Sequence, residues 1–576
     1  DHADNRLRDI VTTIQAEQNV ILRHDRRRPM VVQGVAGAGK TTVALHRLTW
    51  LLYTYQDTMT PANLMVIAPN PLFLNYISAV LPELGVEDVL QTTVAGLCER
   101  LCGKKLPPIA DAATLLSLLD PAVPQAQRDR LARVSRFKAS LAFKACIEAY
   151  CASLAGQLPP PGDVKMGPVR LYTHAELLEV YGQALNPFPL EPRKKELRKH
   201  MSERLRSAYE TYLAQAQYAV EQQANLLRED PSLQPEERRA QMAALYAGRD
   251  AQRAELDALR KTYLKDYFKA WPKVDLLGLY RAFLNPQPGF PLPEGVSTDL
   301  WRDVCEVSLA TLDSRRLDYG DLAALLVLQK AVWGYAQRLD IHHTVIDEAQ
   351  DLSPFLFSLL QDIAHNASFT IVGDLDQGIH GYRGVTDWKA MMAEVFPGDR
   401  ADYFELVTSY RNTVEIMEFA GRVSARHAPP GHKTAQPVLR HGSAPQLLPL
   451  PDHGGTAALA QEVQRLLDLG CVTVAVVDLL PAACKKVQAA LSRQLDVPVR
   501  LLTDADIEYT GGVMVLPAHL TKGLEFDAVI LADVGADVWP DDALHARLLY
   551  VCLTRPLHHL TCYYRGTPTA LLEPLA

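Results

Sequence analysis

The chain has 576 residues, 48% of them hydrophobic and 22% charged, with a formal net charge of −8; it is too long for one core and reads as roughly three or four domains of a soluble globular protein. The acidic balance excludes a wholly basic nucleic-acid binder while leaving room for a local basic groove. No apolar run reaches the roughly 18 residues needed to span a bilayer, and the polar start is unlike a signal peptide, so a cytoplasmic protein without membrane contact is expected. The nine cysteines form no C-x-x-C pair and no Cys/His cluster with zinc spacing. They read as reduced thiols rather than as disulfides or structural metal ligands.

Met30-Val31-Val32 reads as a short buried strand entering Gly34-Val35-Ala36-Gly37-Ala38-Gly39-Lys40-Thr41, which fits G-x-x-x-x-G-K-[ST]. Glycines let backbone N–H groups wrap phosphates, Lys40 reaches the β/γ oxygens, and Thr41 offers its hydroxyl to Mg²⁺. From Thr42 to Leu52 apolar residues recur at helical spacing, so the phosphates meet a helix N-terminus. Gly34, Gly37, Gly39, Lys40, Thr41 and Thr42 are the expected contacts to ATP.

A strand-like run at Leu64 to Ala68 continues an alternating α/β pattern up to about Leu101. From Gly103 to Arg315 that alternation gives way to helical, charged text broken by proline loops such as Leu158-Pro159-Pro160-Pro161-Gly162. Within it, Met201, Leu205, Ala208, Tyr212, Ala219 and Leu226 keep a spacing of three and four until Asp230-Pro231, and Pro235-Glu236-Glu237 starts a second helix. An antiparallel helical hairpin is predicted. Lys261, Lys265 and Lys269 interleave with Tyr263, Tyr267, Phe268 and Trp271. They read as a solvated basic face over an aromatic core stripe, with a nucleic-acid or protein contact face as the alternative.

Strands return at Thr344 to Ile346, Phe369 to Val372, Val472 to Val477, Val513 to Leu516 and Ala528 to Ala532. The first delivers Asp347-Glu348-Ala349-Gln350-Asp351 at its C-terminal end, where open α/β sheets bind ligands. Asp347 is expected to hold Mg²⁺ and Glu348 to orient and deprotonate the attacking water.

Further runs follow in a definite order. Ile14-Gln15-Ala16-Glu17-Gln18 precedes the phosphate loop, and Val372-Gly373-Asp374-Leu375-Asp376-Gln377 follows the acidic pair. Then come Ser409-Tyr410-Arg411-Asn412, His519-Leu520-Thr521-Lys522-Gly523-Leu524-Glu525-Phe526 and Tyr550-Val551-Cys552-Leu553-Thr554-Arg555. The series resembles superfamily 1A helicases of the UvrD/Rep type across nearly all of the chain outside the insertion. The resemblance implies an α/β fold with two RecA-like P-loop NTPase motor domains and a large helical insertion in the first. The expected division is 1–102 and 316–403 for the first motor domain, 103–315 for its insertion and 404–576 for the second. It also implies that Gln18 contacts adenine, Gln377 the γ-phosphate and Glu525 the ribose, with Arg411 and Arg555 as arginine fingers across the cleft.

Local wording such as Val31-Val32-Gln33-Gly34-Val35-Ala36-Gly37, Ala44-Leu45-His46-Arg47 and Asp374-Leu375-Asp376-Gln377-Gly378-Ile379 resembles the HelD/helicase IV branch. That branch implies two roles: a helicase or translocase moving 3′ to 5′ on single-stranded DNA in repair, or an RNA polymerase-binding ATPase that releases stalled transcription complexes. Its N-terminal coiled-coil arm is not expected here, because thirteen residues precede Ile14. Neither is the full 2B domain of UvrD/Rep enzymes, because Arg411 and Lys522 are about a hundred residues apart. For the DNA strand, the resemblance puts a base-stacking ring at Tyr382 and a phosphate contact at Arg383, with Phe73, Thr93 and His519 in segments matching further strand-contacting motifs.

Overall fold

Short aliphatic runs at Met30–Gly34 (β1), Leu64–Ile67 (β2), His343–Ile346 (β4) and Phe369–Gly373 (β5) form the centre of a parallel sheet, with Leu90–Thr92 (β3) and Asp402–Leu406 (β6) at its edges. The strand order is β3-β2-β4-β5-β1-β6. The central strands are buried on both faces, which is why they read as continuous apolar runs rather than alternating ones. The chain is seen in a computed structural model that describes residues 16–364, 368–398, 400–428, 433–438, 440–451, 453–504 and 511–573. Ile14 and Gln15 of the first motif lie outside the described residues.

The second lobe repeats the architecture with Gln446–Pro449 (β7), Thr473–Asp478 (β8), Val499–Leu501 (β9), Gly512–Pro517 (β10), Phe526–Leu531 (β11) and Pro556–Tyr564 (β12), in the order β7-β12-β11-β8-β10-β9. Every pairing in both sheets is parallel. The mixed α/β class expected from the sequence is therefore present.

One expected boundary moves. β6 pairs with β1 in register Val32 to Phe404 and Gly34 to Leu406, so the division at 403/404 would cut through a strand of the first sheet. No strand was expected there because Asp402 and Glu405 interrupt the apolar run. Asp402 accepts from Arg28 Nε at 2.6 Å, and Glu405 pairs with Lys433.

The ends of segment 103–315 lie side by side: Leu317 N–H donates to Pro108 O at 3.0 Å and Ala110 N–H to Leu317 O at 2.8 Å. The segment is not a separate core. One apolar cluster runs from Val31 and Met65 through Leu97 and Phe143 to Met201, Tyr209 and Leu256. The helical hairpin is formed by Leu190–Glu229 and Pro235–Lys269. Trp271 is buried and Tyr263, Tyr267 and Phe268 pack against this core; Phe268 and Trp271 stack at 5.7 Å. The aromatic stripe therefore serves packing. The distal part of the hairpin lacks such support, with Tyr218 68% and Leu226 70% exposed. A small antiparallel hairpin, Val164–Met166 with Val169–Tyr172, also sits in this segment. It went unpredicted because its strands are too short to show alternation.

A buried ionic cluster ties the segment to the first lobe. Lys138 Nζ lies 2.6 Å from Asp321 Oδ1 and 3.0 Å from Asp318 Oδ2, and the Tyr280 hydroxyl donates to Asp321 at 2.5 Å. Against the downward push of burial, the two carboxylates hold the Lys138 ammonium above its ordinary range. Removing one partner of a buried pair strands the other charges without water, so Lys138→Met is expected to destabilise the chain by about 3–5 kcal/mol. A urea unfolding curve with an unshifted midpoint would sink that expectation.

Candidate nucleotide-binding and hydrolysis site

The carboxyl ends of β1, β4 and β5 converge, and each hands over part of the site. After β1 the phosphate loop turns through Gly37 and Gly39, both left-handed at φ +73° and +74°, before the helix Lys40–Thr54 begins. A side chain at Gly37 would stand 2.7 Å from Arg411 Cβ, so the loop admits only glycine where the second lobe touches it. Lys40 is buried and donates to Gly34 O at 2.8 Å and Val35 O at 3.1 Å, which keeps its ammonium over the loop. Thr42 follows half-buried on the same first turn. Gln18, on the helix Ala16–Leu22, donates from Nε2 to Ala38 O at 3.4 Å, against the same loop.

At the end of β4, the Thr41 hydroxyl donates to Asp347 Oδ2 at 2.5 Å. Burial, and then the neighbouring charge of Glu348, push the Asp347 carboxyl above its usual range. A buried carboxylate paired with a hydroxyl is a hard-oxygen pair suited to Mg²⁺, which commonly takes one or two carboxylates and completes its shell with waters and phosphate oxygens. Among the described residues no group of three or more His, Cys, Asp or Glu could hold a metal ion.

Glu348 adopts φ +49° and ψ +38°, a left-handed conformation that costs a non-glycine residue roughly 1–3 kcal/mol. Against the upward push of burial, the charges of Lys522 and Lys40 hold its carboxyl well below the usual range. Gln350 Nε2 donates to Glu348 Oε2 at 2.7 Å, while Gln350 Oε1 accepts from Asp374 N–H at 3.0 Å. The carboxylate is therefore aimed by its backbone and held by an amide.

β5 delivers Asp374, which is fully buried. It accepts from Gln33 Nε2 at 2.9 Å and Gln377 Nε2 at 2.8 Å. With its Nε2 tied there, Gln377 turns Oε1 toward the second lobe, where Arg555 Nη2 donates at 2.8 Å. Arg555 is 3% exposed and also donates from Nε to Val551 O at 2.9 Å. Arg411 Nη2 lies 2.6 Å from Glu525 Oε1, so the expected finger and the expected ribose contact are paired with one another.

Lys522 lies within the His519 to Phe526 run, which carries no expected role for it. Its ammonium reaches from the second lobe to within 2.6 Å of Asp351 Oδ2 and 3.3 Å of Glu348 Oε2, and donates to Gln377 O at 3.1 Å. Gln33, Gln350 and Asp374 likewise stand in quoted runs without an expected role. For Gln33 and Asp374 the available signal was a polar residue at the C-terminal end of an otherwise apolar strand, whereas Gln350 and Lys522 lie in or after short turns beyond theirs.

The residues expected to meet DNA stand differently. Tyr382 is 6% exposed, its hydroxyl 2.9 Å from His380 Nδ1, and its ring belongs to an apolar cluster with Leu115, Ile379 and Leu549. A base cannot stack on a ring buried to this degree; helix Asp111–Leu119 from segment 103–315 contributes Leu115, Leu118 and Leu119 to the same cluster. Arg383 is buried with its guanidinium 3.8 Å from the Tyr319 ring centroid. His519 is buried beside Asp504 Oδ1 at 3.2 Å. Thr93 caps helix Val94–Cys102, accepting from Gly96 N–H at 3.1 Å, and half-buried Phe73 packs against the first-lobe core. Three of the five, Tyr382, Arg383 and His519, are buried rather than exposed. The nucleotide residues, in contrast, are brought together.

Comparison with known proteins gives two family matches: the UvrD/REP helicase N-terminal domain over residues 169–391 and the UvrD-like helicase C-terminal domain over residues 512–562. The chain is 31% identical over 157 residues to the ATP-dependent DNA helicase srs2 of Schizosaccharomyces pombe. That alignment takes in 26% of this chain and spans only 16% of the relative's length. A solved C-terminal domain of a possible DNA helicase from Lactobacillus WCFS1 is similar at 24% identity with a TM-score of 0.24, covering 29% of this chain and 94% of that one.

Proposed function

We propose that the chain, which matches UvrD-like helicase domains over residues 169–391 and 512–562, is an ATP-hydrolysing motor that moves on single-stranded DNA. The observation that carries this reading is the cross-lobe assembly: Arg555 on Gln377 and Lys522 on Glu348 and Asp351 bring second-lobe cations onto first-lobe catalytic groups. Thr41 and Asp347 would hold Mg²⁺, which when bound neutralises phosphate charge. Lys40 exchanges its loop carbonyls for phosphate oxygens, Glu348 takes the proton of the attacking water, and Gln377 and Arg555 stabilise charge on the transferring phosphoryl group. Gln18 reads the adenine. Binding of ATP must separate Arg411 from Glu525, freeing the first for phosphate and the second for ribose.

Hydrolysis that opens and closes the cleft converts chemistry into alternating grip. A 3′ to 5′ direction and a repair role follow from resemblance to the helicase IV branch. For DNA to reach Tyr382, the groups that bury its ring must move aside. Steady-state ATP hydrolysis measured against single-stranded DNA, with Lys40→Ala as the blank, is expected to show large, saturable stimulation. A rate indifferent to DNA would defeat the translocase reading.

One observation favours a second reading, an RNA polymerase-binding ATPase that releases stalled complexes. In that reading the exposed Tyr218 and Leu226 on the distal hairpin would serve as part of the protein contact. Stimulation by RNA polymerase in place of DNA would select it.

A further inference from the structure

Arg47 has no carboxylate partner in the ATP site and makes no contact with the phosphate loop, yet its side chain is fully buried. From helix Lys40–Thr54 its Nη1 donates to Ile21 O at 3.0 Å and Leu22 O at 2.8 Å, the closing carbonyls of the helix that bears Gln18. Its Nε donates to Thr370 Oγ1 at 3.0 Å on β5. Burial lowers the guanidinium to about 10, which still leaves it charged at neutral pH.

That charge orders a chain of hydrogen bonds with one self-consistent direction. Thr370 Oγ1 accepts from Arg47 and so donates its own proton to His343 Nε2, 3.0 Å away. His343 Nδ1 then carries the ring proton and donates to Ser368 Oγ at 2.6 Å, and Ser368 donates to Arg26 O at 2.7 Å. Burial and the Arg47 charge keep His343 neutral, as this direction requires. The network fastens helix Ala16–Leu22 and the turn after it to β4 and β5, the strands that deliver Asp347 and Asp374.

Isolated short helices are marginal in water, so a helix end gains from outside contacts to its closing carbonyls. The two terminal carbonyls of helix Ala16–Leu22 lie one turn from Gln18, and Nη1 of Arg47 binds both while Nε of the same guanidinium holds Thr370 on β5. We propose that Arg47 is the positioning residue for base recognition: it holds the Gln18 helix at the phosphate loop and so sets how tightly the site takes adenine, separately from phosphate. This rests on the ATP-binding reading above and extends it to a residue that touches no part of the nucleotide.

The test is calorimetric titration of the full chain with ATP and with inorganic tripolyphosphate, each with Mg²⁺. Arg47→Met is expected to weaken ATP roughly 10-fold, the loss of a hydrogen bond or two to the base, and to leave tripolyphosphate within about twofold. Gln18→Ala should reproduce that selective loss. Arg47→Lys keeps the charge without the fork and is expected to fall between, which also covers the case in which the methionine variant fails to fold. Equal weakening of ATP and tripolyphosphate, or no weakening of either, would overturn the assignment. A wild-type chain that binds tripolyphosphate as tightly as ATP would remove base recognition and this inference with it, while leaving phosphate binding in place; a chain that binds neither would remove the nucleotide reading itself.

Discussion

Glu348→Gln is expected to lower steady-state ATP hydrolysis by about 100- to 10,000-fold, the usual contribution of a positioned general base, while ATP binding survives. The substitution keeps shape and length, and the amide oxygen can still accept from Gln350. Lys522 keeps Asp351 as its nearer partner at 2.6 Å, so the two lobes stay tied. The measurement is a coupled ATPase assay beside equilibrium binding of ATP and a thermal melt. Hydrolysis within tenfold of wild type, with binding intact, would assign the base elsewhere; Asp351 is the next carboxylate along the same run.

Arg555→Ala is expected to cost about 1,000- to 100,000-fold in kcat, the range for removing an arginine that neutralises the transferring phosphoryl group. Little change in KM should accompany it, because the charge it stabilises develops after binding. Arg555→Lys should not restore the rate. The guanidinium satisfies Val551 O through Nε and Gln377 Oε1 through Nη2, two directions that an ammonium at the end of a flexible stem does not reproduce. A double-mutant cycle with Gln377→Ala should be strongly non-additive, since the two side chains share one bond across the cleft. Additive losses would mean that Arg555 acts without Gln377.

The strands of the nucleotide site were legible because each is a short apolar run ending in a polar residue, a pattern carried by adjacent positions. β1 with its glycine loop and β4 with Asp347 and Glu348 are of this kind. β6 was not legible: Asp402 and Glu405 interrupt its run, and their ionic partners, Arg28 and Lys433, lie far away in sequence. Tyr382 shows the opposite failure. Its place in a motif suggested an exposed ring, and nothing near it in sequence reveals that the folded chain buries it in an apolar cluster drawn from distant segments.

Residue order alone therefore determined the phosphate loop, the acidic pair, the helical hairpin and the two-lobed α/β class, because each depends on contacts within a turn, a strand or a helix face. Only the tertiary structure decided that Lys522 reaches Glu348, that Arg411 and Glu525 are paired, that Gln33 and Gln377 share Asp374, and that Arg47 holds the Gln18 helix. These contacts depend on which parallel strands become neighbours and on how the lobes close. Hydrophobic period and motif spacing carry no record of either, because a parallel sheet joins strands through crossovers whose length leaves strand order open.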